Sequence, residues 1–227
     1  MAGWRDRLSS VHCTLGFVAV VGAAITVTFV LAERGILDPR DWEVSPSQWW
    51  GIPAAHFANR DFAHYLGNMT GLFLFGGLFT AASLVTRKFH TGDIIRRFDS
   101  RLPWIVLGSA LVSSLWIWYV YLLEGRGSGV GTSTIVSAAF GGGAWLYIAI
   151  ALGGSGSSKD GSHGRAERRK GRIMALFFAG LFIVFFLYMY GLLGSMSAIL
   201  THWVSFSLSV FGSWLAFPRT HKAARVA

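Results

Sequence analysis

Four side chains of this 227-residue chain together offer a nucleophile, a base and hydrogen-bond donors: His64, Asn68, Ser133 and His202. All four fall in or at the start of long apolar stretches. A polar group in hydrocarbon is costly, and one that can ionise costs more, so such residues are functional candidates by default. A hydroxyl beside an imidazole can be activated for attack on a carbonyl. Donors aimed at the oxygen that becomes negative stabilise the intermediate that follows. Hydrolysis of a peptide bond needs these parts.

The elements that must position them are set by composition. Hydrophobic residues make up 53% of the chain and charged residues only 14%. Mean hydropathy is +0.49. A soluble domain would carry about 25% charged residues, so the chain reads as a membrane protein. Six apolar segments, near 11–32, 62–85, 103–123, 131–152, 173–192 and 195–217, are each about the 20 residues a helix needs to cross a bilayer. Backbone in lipid must satisfy its own hydrogen bonds, and none of the segments alternates as a barrel strand does, so all six are expected to be helices. The first run is longer than a signal-peptide core, so a retained helix is expected there. The expected fold is a single all-α membrane domain over 1–227.

The formal charge of +9 is a topology signal rather than a nucleic-acid footprint, because Lys and Arg sit in short stretches between apolar runs. Sixteen of the twenty cations fall at the amino end, in the loops after the second and fourth segments, and in the carboxyl tail. Only Arg34, Arg40, Arg60 and Arg126 fall on the other side. The positive-inside rule then places both termini in the cytoplasm. The stretch 153–171, rich in Gly, Ser and basic residues, reads as a cytoplasmic linker that can touch anionic lipid. The first outer loop, 33–55, holds Trp42, Trp49 and Trp50, as a segment lying at the interface would. The single cysteine, Cys13, excludes an internal disulfide and any multi-cysteine metal site, and reads as a small packing residue. No metal or cofactor is expected.

With this topology the second, fourth and sixth helices all begin outside, so the four polar groups share one level of the outer leaflet. His64 and Asn68 are four apart, on one helix face. His202 lies seven residues past Ser195, ~10 Å deep at 1.5 Å per residue. Ser133 has rivals in Ser109, Ser113, Ser137, Ser205 and Ser209. A serine in a membrane helix usually bonds back to its own carbonyl ladder or packs as a small residue. Ser133 differs because it follows four glycines in the seven positions 125–131 and begins a helix, whose unpaired N–H groups favour an anion. A histidine such as His202 can also be a neutral core residue. Ser205 and Ser209 on the sixth helix, with Ala138, Ala139 and Gly141–Gly143 on the fourth, would let the two backbones approach closely enough for His202 to reach Ser133.

His64-Tyr-Leu-Gly-Asn68-Met69 with Phe75-Gly76, Gly131-Thr-Ser133-Thr134, and His202 followed by small residues together resemble the rhomboid family of intramembrane serine proteases. The resemblance covers all six helices and implies a rhomboid-like bundle. It departs at Thr134, where glycine usually follows the nucleophile, and at Ser205 and Ser209, where glycines are common. A second histidine often lies five before His64; here that position is Asn59, and His56 is further upstream. No Trp-Arg motif is evident in the first outer loop.

By resemblance, His202 takes the proton of Ser133, which attacks the scissile carbonyl, while His64, Asn68 and the Ser133 N–H bind the oxyanion. No carboxylate lies at that depth, so a Ser–His dyad fits better than a triad. Substrates would be transmembrane segments of other membrane proteins, cut near the outer face of the plasma membrane, with a mobile cap near 190–197. The alternative is an inactive relative that binds membrane helices as a chaperone or quality-control factor; such relatives usually lose the Ser–His pair. A small transporter would spread its ionisable groups through the bilayer or show matching halves, and the chain does neither.

Overall fold

The computed structural model describes residues 11–89, 91–125, 127, 132–153, 162–191 and 196–216. Its frame is six long helices: α1 (His12–Glu33), α2 (Phe62–Thr86), α3 (Leu102–Glu124), α4 (Ser133–Gly153), α5 (Ser162–Phe186) and α6 (Met196–Ala216). All six contain a stretch long and apolar enough to cross a membrane, and no strand occurs among the described residues. The chain is thus a multi-pass helical membrane protein.

Local chemistry fixes several helix ends. Asp61 precedes α2, and its carboxylate accepts from the His64 N–H at 2.8 Å, satisfying a donor that the helix leaves unpaired. Pro103 enters α3 in its first turn, where a missing N–H costs nothing. Gly125 ends α3 at φ +63°, a left-handed conformation that glycine adopts without strain. The start of α1 is capped from a distance. Asp99, at the end of the short helix Gly92–Asp99, accepts from the Cys13 and Thr14 N–H groups at 2.9 Å each. That short helix was not foreseen: the loop after the second segment reads as basic and polar, yet Ile95 and Phe98 bury themselves under the bundle.

α4 is the inner helix, with 78% of its spanning stretch buried, and it packs chiefly on α6 and α5. In lipid, helices associate by close packing rather than by hydrophobic exclusion, so small residues at the contact matter. A Cβ on Gly141 would lie 2.3 Å from the Phe206 carbonyl oxygen, so α4 and α6 touch through backbone. Around this seam Phe75, Phe79, Phe140, Tyr147 and Phe182 pack as one aromatic cluster, with neighbouring rings 5.7–6.5 Å apart. The Tyr147 hydroxyl finds Ser83 at 3.0 Å, which satisfies both groups in the dry interior. Val20, Trp104, Leu115 and Phe177 are among the large apolar side chains left exposed.

The described part of the loop 33–55 holds a 3-10 turn at Pro39–Trp42 and a short helix at Gly51–Ala54, followed by a 3-10 turn at Ala55–Phe57. Trp49 and Trp50 are exposed, and Trp50 donates its ring N–H to the Asp41 carbonyl. The expected linker 153–171 needs a correction. Positions 162–171 are the first turns of α5, so Arg168, Arg169 and Lys170 are on a helix rather than a loose tether. Positions 154–161 of that linker lie outside the described residues. So do 126 and 128–131 of the glycine-rich loop, 192–195 of the expected cap, and the terminal stretches 1–10 and 217–227.

Candidate active site

The starts of α2, α4 and α6 lie at one end of the bundle, where Ser133 and His202 meet, while Asn68 bonds to Asn59. Ser133 is the first residue of α4 and is buried. His202 lies six residues into α6, about 9 Å at 1.5 Å per residue. The close α4–α6 seam brings the two together: the Ser133 Oγ is 2.9 Å from His202 Nε2. His202 Nδ1 lies 3.1 Å from the carbonyl oxygen of Tyr190, in the π-helical turn Leu187–Gly191 that ends α5. A carbonyl only accepts, so Nδ1 carries the proton and donates it. Nε2 is then left with its lone pair toward the serine hydroxyl, the tautomer a general base needs. The Tyr190 ring stands edge-on to the imidazole at 5.3 Å and limits its rotation. A backbone carbonyl thus does what a buried carboxylate does in a triad, orienting the ring without adding charge.

Two of the rival serines are committed to carbonyls of neighbouring helices. Ser113 Oγ donates to the Thr201 carbonyl, and Ser205 Oγ to the Thr134 carbonyl. Ser137 and Ser209 are buried with no hydrogen-bond partner for Oγ among the described residues; Ser209 fills the space against Gly142 as a small side chain.

Asn68 lies one turn below His64 on α2 and is buried. Its amide nitrogen donates to Asn59 Oδ1 at 2.8 Å. An amide carries two N–H groups, so one is held by Asn59 and the other is left to donate elsewhere. His64 is half-buried. Asn59 itself is buried, and its amide nitrogen has no partner among the described residues. It borders a small cavity lined also by Thr28, Ala32, Leu37, Pro39, Trp42 and Ala58.

Sequence reasoning missed three parts of this arrangement. Asn59 is in a loop, where no periodicity marks it. Tyr190 contributes its backbone oxygen, which side-chain type does not announce. His56, noted above as lying further upstream than Asn59, is 5% exposed and sits directly behind α4. Its Nδ1 is 2.8 Å from Thr134 Oγ1, and its Nε2 is 3.3 Å from Ser114 Oγ on α3. Burial pushes the His56 imidazole down to about 4 from an ordinary 6.5, so the ring is neutral above that pH. Thr134, the residue after Ser133, and His56, upstream of Asn59, are therefore in contact with each other.

Among the described residues one metal-like grouping occurs, at the opposite end, where ligand atoms of His12, Cys13 and Asp99 lie within 4.8 Å of one another. Both Asp99 oxygens already accept helix N–H groups, which accounts for the carboxylate as a cap.

The fold and the site together define an all-helical multi-pass membrane protein with a serine hydroxyl hydrogen-bonded to a histidine at one end of its bundle. No family model, curated protein or solved structure matches the chain.

Proposed function

We propose that this chain is a rhomboid-like intramembrane serine endopeptidase that cuts transmembrane segments of other membrane proteins through a Ser133–His202 dyad. The observation that carries the reading is the hydrogen bond of 2.9 Å from the serine hydroxyl to a histidine nitrogen whose opposite nitrogen is committed to a carbonyl. That pairing, inside a bundle of apolar helices, costs free energy that a merely structural serine and histidine have no reason to spend.

In this mechanism His202 Nε2 removes the Ser133 proton as Oγ bonds to the scissile carbonyl carbon. The carbonyl electrons move to oxygen, and the oxyanion is met by the Ser133 N–H, the free N–H of Asn68 and the ring of His64. His202 then gives its proton to the leaving amine, the C–N bond breaks, and an acyl-serine is left. A water, deprotonated by the same nitrogen, releases the second product and restores the hydroxyl. The carbonyl of Tyr190 holds the imidazolium as it forms. A substrate helix bonds its own carbonyls internally, so the cut segment must unwind locally, and helix-breaking or small residues are expected at the cut.

The same reading places both termini in the cytoplasm of a plasma-membrane protein, with the site opening toward the outer face. The cation asymmetry along the sequence supports that orientation. A fluorophosphonate probe tests the assignment. Labelling is expected in the wild type and absent in Ser133→Ala; labelling that persists in the variant removes Ser133 as nucleophile.

A further inference from the structure

We propose that His56 is a positioning residue for the nucleophile, acting through Thr134; the inference rests on the protease reading above. The Ser133–Thr134 unit is gripped from two sides. On one side the Thr134 hydroxyl meets His56 Nδ1 at 2.8 Å. On the other the Thr134 carbonyl accepts from Ser205 Oγ at 2.8 Å, one helical turn along α6 from His202. His56 is in turn tied to α3 through Ser114 and follows directly on the short helix Gly51–Ala54. The next residue, Phe57, gives its carbonyl to the Thr28 hydroxyl on α1. One imidazole therefore joins the α1–α2 loop and α3 to the turn that carries the nucleophile.

The first turn of a helix is where such a tie matters. Its N–H groups have no partner within the helix, and its side chains are less constrained than those further in. The proposed mechanism asks this turn for two things at once: a hydroxyl aligned on His202 and an N–H aimed at the oxyanion. A glycine at 134 would offer no side chain to hold. Threonine supplies a hydroxyl, and the neutral buried ring supplies one donor and one acceptor, enough to satisfy Thr134 and Ser114 together. The ring is 5% exposed, so it acts from behind the turn and does not touch substrate. Its loss should therefore slow the chemical step and leave substrate binding unchanged.

The test is a double-mutant cycle on His56→Ala and Thr134→Val, with kcat and KM measured on a transmembrane peptide substrate in detergent and helix content followed by thermal melting. Each single variant is expected to lose about 10-fold to 100-fold in kcat, as a displaced reacting group does, with KM within about twofold. The double variant should lose no more than the worse single one, because both break the same contact. Thr134→Ser keeps the hydroxyl and should recover most of the rate lost in Thr134→Val. His56→Gln, which can still donate and accept, should lie between wild type and His56→Ala, and it serves as the arm of the cycle if the alanine variant does not fold. Losses that multiply in the double variant, or a His56→Ala enzyme with wild-type kcat, overturn the positioning role. A wild type with no turnover beyond that of Ser133→Ala overturns the protease reading, and this inference with it.

Discussion

The two ends of the bundle share backbone caps, Asp99 at one and Asp61 at the other, but differ in how far polar side chains bond to one another. At the end where α1 begins, they satisfy backbone: both Asp99 oxygens accept N–H groups of α1, and the Arg101 guanidinium donates to the Ala216 carbonyl at the end of α6. At the end where α2, α4 and α6 begin, side chains bond to one another: Ser133 to His202, Asn68 to Asn59, and His56 to Thr134 and Ser114. The Ser133–His202 and Asn68–Asn59 pairs hold a geometry and still leave a lone pair or an N–H in reserve, while both ring nitrogens of His56 are engaged. The difference separates groups that close a fold from groups that can perform chemistry.

The comparison breaks most sharply at the dyad. Ser133→Ala and His202→Ala are each expected to lower turnover of a transmembrane substrate more than about 10³-fold, since nucleophile and base act as one unit. Normal cleavage by His202→Ala would remove the imidazole from the mechanism. Next is the oxyanion side. Asn68→Ala should cost ~10²–10³ in kcat with the melting temperature little changed. Asn59→Ala, which frees the Asn68 amide to rotate, should cost less than Asn68→Ala in the same assay. A variant of either residue that melts early while its folded fraction turns over normally points to packing instead.

Acid stability sharpens the picture behind the nucleophile. The His56 imidazole titrates at about 4 when folded and near 6.5 when unfolded. Between those values the unfolded chain binds the extra proton. The stability held above pH 6.5 is therefore lost as pH falls toward 4, by about 3 kcal/mol at roughly 1.4 kcal/mol per pH unit. Denaturation curves from pH 7 to 4 should flatten in His56→Gln; an unchanged slope assigns the acid sensitivity to other groups. The smallest effect belongs to the opposite end. Asp99→Ala should cost about 1–2 kcal/mol, as the loss of a helix cap does, while kcat of the folded protein stays at the wild-type level. A large drop in kcat would erase the distinction between the two ends.

Much of the frame was legible because its cause is local. Five of the six apolar runs lie within a few residues of an observed helix, and α5 departs by beginning at Ser162, eleven residues before its apolar run. There the Arg and Lys residues hid a helix, since hydropathy reports what lipid accepts and not where hydrogen bonding starts. The short helix Gly92–Asp99 was hidden for a related reason: eight residues are too few for a strong periodic signal. Within the site, the levels of His64, Asn68, Ser133 and His202 followed from helix starts and rise per residue. The Thr134 and His56 departures were visible as oddities, yet nothing in their spacing of 78 residues told that they touch.

The order of residues alone set the number of apolar helices and the shared level of the four polar groups, because both depend only on lengths and hydropathy read along the chain. Folding in three dimensions decided which groups became partners. The His202 tautomer hangs on a main-chain oxygen from another helix. The first turn of α4 is held by a loop imidazole, and the α4–α6 seam is narrow enough to join hydroxyl and ring. Hydrogen bonds act over about 3 Å and depend on direction, so they answer to packing across the bundle rather than to distance in sequence.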